Sequence, residues 1–256
     1  MASLLARLGF SPAVEEVAEI LQADTPALNG AELAISYFGC MCGDLHDFVR
    51  VGPTRLVFGL LDVAGKRETN SSIIEAAQAC FHSSALELFA AEELNEADAM
   101  LELSRRLNLE IMRAAKGVRS CPAFAGCYNE ELGTVCYVNN GHTPGLLHDD
   151  EGTIELPATG LPLGLFSLAP TDSRIVGLEP NASLVVVSRG VVEAESKRKE
   201  FGLEGVKQTL DESPGQTRNL SLRILGRVQE FMHGAPKQND ATALSLTRRG
   251  PRAVGS

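Results

Sequence analysis

From Ala123 to Ser188 the chain alternates short apolar runs with turn residues, and this stretch restricts the possible folds more than any other. The runs are Ala123 to Tyr128, Thr134 to Asn139, Gly145 to His148, Thr153 to Leu156, Ser173 to Leu178 and Ser183 to Ser188. Between them stand Asn139-Asn140-Gly141, Asp149-Asp150-Glu151-Gly152 and Glu179-Pro180-Asn181. Short runs punctuated in this way predict a succession of strands. Glu32 to Phe38, Arg55 to Asp62 and Thr242 to Thr247 read as further strands. Two long amphipathic segments precede the strand-rich part. One runs from Thr69 to about Glu92 with Ile73, Ile74, Ala77, Cys80, Phe81, Leu86 and Phe89 at helical spacing; the other runs from Met100 to Ala115, after a polar break at Asn95 to Asp98. Helices are also predicted at Leu203 to Leu210 and Thr217 to Met232. The class is therefore α/β in the α+β sense, and alternation alone leaves several such folds open.

At the start, Ser11 to about Gln22 reads as a helix capped by Ser11, with Pro12 in its first turn and Val14, Val17, Ala18 and Leu21 on one face. This divides the chain into a linker helix over 1–25, a main domain over 26–248 and a flexible tail over 249–256. A net charge of −10 over 256 residues argues against nucleic acid and anionic membranes as partners. No apolar run approaches the roughly 20 residues of a membrane span, and Met1 to Phe10 is too short and weakly apolar for a secretory signal, so a cytoplasmic protein is expected. The six cysteines share no metal-binding spacing, and Cys40-Met41-Cys42 is too tight for a zinc pair; they read as reduced, structural thiols.

The residues that could carry chemistry lie in short motifs at strand ends. Gly43-Asp44-Leu45-His46-Asp47 and Leu61-Asp62-Val63-Ala64-Gly65-Lys66 supply carboxylates. Ser188-Arg189-Gly190-Val191-Val192-Glu193-Ala194 follows the apolar run Leu184 to Val187. Asn140-Gly141-His142-Thr143-Pro144, Gly160-Leu161-Pro162-Leu163-Gly164, Phe201-Gly202-Leu203 and Gln238-Asn239-Asp240-Ala241-Thr242 complete the set. In this order the motifs resemble the PPM-type, metal-dependent serine/threonine phosphatases, in their bacterial SpoIIE/RsbU branch, over roughly residues 14–248. The resemblance implies an α-β-β-α sandwich of two mainly antiparallel sheets flanked by helices.

It also implies a chemistry. Phosphate-ester hydrolysis is served by two divalent ions about 3.5–4 Å apart. Hard ions such as Mn²⁺ or Mg²⁺ require several oxygen ligands around one small space. By resemblance Asp44 and Asp62 are the catalytic carboxylates, Asp62 bridges the metals, and Val63 lends its backbone carbonyl. Asp44, Asp47 and Asp240 hold metal or metal-bound water, with position 239 beside them. Gly141, His142, Gly160 and Gly164 belong to structural turns, His142 as a hydrogen-bonded turn histidine rather than a base.

Three positions depart from the family pattern. Arg189 stands where the motif Thr-Asp-Gly-Val places a metal-binding Asp, Asn239 stands where Asp-Asp-x-Thr places another, and Arg67 replaces a glycine. A cation within ~4 Å of a divalent ion is repelled, and a partly desolvated site screens that poorly. Arg189 is accordingly expected to fork onto Asp62 or Asp44 in place of the metal. Three functional readings follow. The leading one is a weakened or inactive phosphatase-like domain, without metal, that binds a phosphorylated anti-sigma-factor antagonist-like protein, a kinase or an active paralogue. The second is an active Mn²⁺- or Mg²⁺-dependent phosphatase with a shifted or single-metal site. The third is a homodimeric scaffold built on the helices at 69–115.

Overall fold

The computed structural model describes residues 18–39, 43–65, 67–212, 219–232 and 240–250. In chain order the strands are β1 (Leu21–Gln22), β2 (Ala31–Phe38), β3 (Asp44–Val51), β4 (Arg55–Asp62), β5 (Ala123–Asn129), β6 (Thr134–Asn140), β7 (Gly145–Asp149), β8 (Gly152–Leu156), β9 (Arg174–Gly177), β10 (Ser183–Val187), β11 (Glu195–Ser196), β12 (Lys199–Glu200) and β13 (Ala241–Arg248). The helices are α1 (Arg67–Leu88), α2 (Glu96–Ala115), α3 (Arg189–Val192), α4 (Gly202–Asp211) and α5 (Leu220–Met232). One sheet has the order β1-β2-β13-β10-β7-β8, the other β3-β4-β5-β6-β9, and β11-β12 form a separate ribbon. The strand pairings are antiparallel.

The period-2 alternation of strands explains the layering. In β10, Leu184 and Val186 point between the sheets, while Val185 and Val187 point outward to α4 and α5. In β4, Leu56, Phe58 and Leu60 face the same inter-sheet core, and Val57 and Leu61 face α1 and α2. Both sheets are thus buried on both faces, which is why their strands read as near-continuous apolar runs. The result is the expected sandwich: helices α1 and α2, the five-stranded sheet, the six-stranded sheet, then α4 and α5.

Several boundaries differ from the sequence reading, each for a local reason. Helix α2 begins at Glu96 because Asn95 is its cap; the Asn95 side chain accepts the N–H groups of Ala97 and Asp98. The supposed polar break is therefore the cap and first turn of the helix, where Glu96 and Asp98 favour the macrodipole. The connection between α1 and α2 is pinned by Arg55, which donates to the carbonyls of Ala91 (2.6 Å) and Glu92 (2.9 Å) and to Glu96 Oε1 (3.1 Å). Of the helix expected over 11–22, residues 11–17 lie outside the described residues, and Leu21–Gln22 pair with Tyr37 and Ser36 as a strand. The strand that carries Asp44 and Asp47, to which the sequence assigns no bounds, runs over Asp44–Val51. At the other end Arg248 still pairs with Ala31, Arg249 N–H donates to Gly30 O (2.7 Å) and Gly250 N–H to Asn181 Oδ1 (3.0 Å), so the chain is held through Gly250. No described helix is long and apolar enough to cross a membrane.

Candidate functional site

Antiparallel register sets Asp44, the first residue of β3, directly opposite Asp62, the last of β4. The end of β4 is fixed on both sides: Asp62 N–H donates to Pro122 O (2.9 Å), Val63 N–H to Gly43 O (2.8 Å) and Ala64 N–H to Ser120 O (3.2 Å). Asp62 follows Phe58 and Leu60 on the face that looks toward the other sheet, and cross-strand partners share a face. Both carboxylates are buried, at 5% and 7% exposure.

The opposite sheet supplies their surroundings. Thr242 Oγ1 donates to Asp44 Oδ2 (2.8 Å), and the Ser188 hydroxyl also bonds the Asp44 side chain. Ser188 and Thr242 are themselves locked together, since Thr242 N–H donates to Ser188 Oγ (3.0 Å) and Ser188 N–H to Thr242 O (2.9 Å). Asp240 Oδ2 accepts the N–H of Gly43 (3.0 Å). The end of β10 and the start of β13 therefore close over Asp44 from the facing layer. Burial pushes the Asp44 carboxyl up to about 7; the two hydroxyl bonds oppose this, and the charges of Asp62 and Asp240 add to it. Asp62 is also raised, first by burial and then by Asp240, against the lowering effect of Arg189.

Arg189 opens the single turn α3 immediately after Ser188. Its Nε stands 3.1 Å from Asp62 Oδ2 and 3.9 Å from Glu193 Oε2, the residue that caps the C-terminus of α3. The Arg189 side chain is 56% exposed, so one end of the pair is wet and the other is not.

The structure does not bring Asp47 into this group. It lies three residues from Asp44, an odd offset in a strand, and so points to the other face. There its Oδ1 accepts the N–H of Phe48 (2.7 Å) and its Oδ2 is 4.0 Å from His82 Nδ1 on α1. Asn239 and the side chain of Arg67 lie outside the described residues.

The turn at Gly141 to Thr143 adjoins the site through Thr143, whose hydroxyl donates to Val187 O, next to Ser188. With its hydrogen committed there, Thr143 Oγ1 accepts from His142 Nδ1 (3.0 Å), which leaves the bare Nε2 without a hydrogen-bond partner. Burial holds the His142 ring down at about 4. His142 N–H donates to Asn139 Oδ1 (2.8 Å). Gly141 has φ +69° and packs on Pro162; Gly160 lies against Thr171; Gly164, at φ +79°, lies against Arg119 O and donates its N–H to Asn108 Oδ1 (2.8 Å).

Several of the oxygens that would have to hold two divalent ions already face protein partners. Asp62 faces a guanidinium, Asp44 a hydroxyl pair, and the Val63 carbonyl accepts Asn70 Nδ2 (2.8 Å). Among the described residues no group of three or more His, Cys, Asp and Glu side chains is arranged to hold a metal ion. These residues do not fit a two-metal centre. Ser188, Thr242 and Asn70 do not figure among the site residues expected from the sequence, although Ser188 and Thr242 stand inside its motifs, Ser188 just after the apolar run of β10 and Thr242 as the second residue of β13.

Two facing antiparallel sheets between helix pairs, with paired aspartates at one open end, define a PPM-type (PP2C) phosphatase domain. The chain belongs to the SpoIIE family: the model of that family, described as stage II sporulation protein E, matches residues 52–249. It is 24% identical over 219 residues to the phosphoserine phosphatase RsbP of Bacillus subtilis, covering 84% of this chain and 52% of that protein. The chain thus spans about half the length of the curated relative it matches. The fold is similar to that of the RsbU and RsbW domains of Rv1364c from Mycobacterium tuberculosis, with a TM-score of 0.69 and 21% identity over 88% of this chain and 63% of that one. It is also similar to the catalytic domain of the serine/threonine phosphatase PstP in complex with two manganese ions, with a TM-score of 0.61 and 11% identity over 85% of this chain and 97% of that one.

Proposed function

We propose that this domain is a weakened or inactive SpoIIE/RsbU-like phosphatase domain that regulates a partner-switching system by binding protein. Its partner is a phosphorylated anti-sigma-factor antagonist-like protein, a kinase or an active paralogue. The observation that carries the reading is the 3.1 Å approach of Arg189 to Asp62. A permanent cation occupies the carboxylate that the chemistry needs for a metal, and it does so where Asp44 is already held by two hydroxyl groups. Bound divalent ions would supply a nucleophilic oxygen and charge neutralisation on the phosphoryl group. What the residues of this chain do is hold Asp62 and Asp44 in place and balance part of their charge.

A second reading has one observation in its favour: Asp44, Asp62 and Asp240 remain close enough to feel one another's charge. On that reading the domain is an active Mn²⁺- or Mg²⁺-dependent phosphatase with a shifted or single-metal site. Hydrolysis of p-nitrophenyl phosphate with Mn²⁺ separates the two. The binding reading expects no metal-dependent turnover from the wild type, no Mn²⁺ uptake by calorimetry, and both restored in Arg189→Asp/Asn239→Asp. Wild-type turnover that needs Mn²⁺ and disappears in Asp62→Asn establishes the active enzyme instead.

A further inference from the structure

The β11-β12 ribbon follows α3 directly, and its turn is built against the ordinary rules. Glu195 pairs with Glu200 and Ser196 with Lys199, so the loop is the two residues Lys197 and Arg198. Both have positive φ, 51° and 65°. A two-residue loop with two left-handed residues is the type I′ arrangement, which strongly prefers Asn-Gly. Lys197 and Arg198 are the one place among the described residues where two consecutive non-glycine residues take positive φ. The ladder below them sets two glutamates opposite each other, which is unfavourable. Neither choice serves stability. Backbone strain retained in this way points to a use for the side chains themselves.

Those side chains make a cationic tip. Lys197, Arg198 and Lys199 are all exposed. Arg105, Arg106, Arg113, Lys207 and Arg227 each reach a carboxylate nearby, whereas none of the three tip residues takes part in an ion pair among the described residues. The base of the ribbon is fixed: Phe201 N–H donates to Ala194 O (2.8 Å), Ala194 is buried, and Phe201 packs edge-on against Phe231 with ring centroids 5.5 Å apart. Five residues upstream of Ala194 is Arg189, paired to Asp62. The three cations are therefore carried on a short, anchored ribbon that follows the Arg189 turn in the chain.

We infer that this tip is a docking element for an acidic segment of a partner protein. The net charge of −10 includes +3 from the tip, so the remainder of the chain repels such a partner; Glu195 and Glu200 stand at the base of the ribbon, and the local complement is confined to its three-residue tip. Three clustered cations are too few for nucleic acid, which demands a basic stripe along its phosphates. This inference rests on the reading of the domain as a protein-binding module, but its test does not use turnover.

The probe is a fluorescein-labelled 12-residue peptide with six Asp or Glu residues around one serine, made with and without phosphate on the serine. Fluorescence anisotropy in 50 mM salt compares the wild type with Lys197→Asn/Arg198→Gly, which keeps the turn and removes two charges. The expected result is binding about tenfold weaker in the variant, together with a melting temperature about 2–4 °C higher as the strained turn is relieved. A gain in stability with a loss of binding cannot come from unfolding. Stronger binding of the phosphorylated peptide assigns the phosphoryl group to the ligand, and equal binding assigns the carboxylates alone; both support the inference. It is overturned if neither peptide binds the wild type, if the variant binds as tightly, or if a single-stranded oligonucleotide of equal charge binds equally well. Metal-dependent turnover by the wild type would overturn the proposed function while leaving the anisotropy result standing.

Discussion

Arg189 holds Asp62 at 3.1 Å from a half-exposed position, so a solvated cation is set against a buried anion. The consequence is asymmetric. Replacing Arg189 with Met removes the one influence that lowers the Asp62 carboxyl, and the carboxylate resonance of Asp62 is expected to titrate at higher pH in the variant. The cost in stability at pH 7 is expected to stay below about 1 kcal/mol, because ion pairs with one solvated partner are strongly screened. An Asp62 titration by carbon-13 NMR that does not move would mean that the guanidinium contributes nothing to the charge balance of the site.

Asp44 makes stability depend on pH in a definite direction. Its carboxyl lies at about 7 in the folded protein and at an ordinary value near 3.8 when unfolded. The folded state therefore binds more protons between those values, and the stabilisation is complete below the unfolded value and lost as pH rises through 7. Asp44→Asn removes this group. Urea unfolding at pH 5 and pH 8 should show the variant gaining on the wild type as pH rises, by about 2–4 kcal/mol across the range. Parallel profiles for the two proteins would contradict the burial of a charged Asp44.

His142 works in the opposite sense. Burial holds its ring near 4 against an ordinary value of 6.5, so the unfolded chain binds the extra proton. Its contribution is complete above 6.5 and is lost as pH falls toward 4. His142→Gln should flatten the acid side of the profile by about 2–3 kcal/mol between pH 6.5 and 4. Because Asp44 and His142 oppose each other over much of the same range, the wild-type profile alone hides both. Only the two single variants, each measured against the wild type, reveal them.

Much of this fold was legible because both sheets are buried on both faces, which turns β4 and β10 into the apolar runs Leu56 to Leu61 and Leu184 to Val187. The paired aspartates were legible from their motifs, Asp62 because it terminates the apolar run of β4 and Asp44 because of the Gly43-Asp44 motif that opens β3. The extent of β3 was not, because Asp44, His46, Asp47 and Arg50 break its apolar pattern. Without those bounds Asp47 enters the predicted site; with Asp44–Val51 as one regular strand, the three-residue offset puts Asp47 on the far face. The hydroxyl clamp of Ser188 and Thr242 was hidden for a different reason. It joins residues 54 positions apart through the pairing of β10 with β13, and no local pattern reports that.

Two glycines with positive φ separate backbone strain from steric collision. Gly152, at φ +132° and the first residue of β8, has nothing within 4 Å of the place where a Cβ would stand. Gly164, at φ +79°, would put that Cβ 2.2 Å from the carbonyl oxygen of Arg119, in a loop tied to α2 by the bond from its N–H to Asn108 Oδ1. Gly152→Ala is expected to cost about 1–3 kcal/mol, the ordinary price of a strained backbone position. Gly164→Ala carries the same strain and must also displace a backbone carbonyl, so it should cost more than about 4 kcal/mol. Urea midpoints of the two variants measure the difference directly. If Gly164→Ala unfolds no more easily than Gly152→Ala, the loop of residues 160–164 gives way without cost, and its close packing on Arg119 does not hold that side of the site in place.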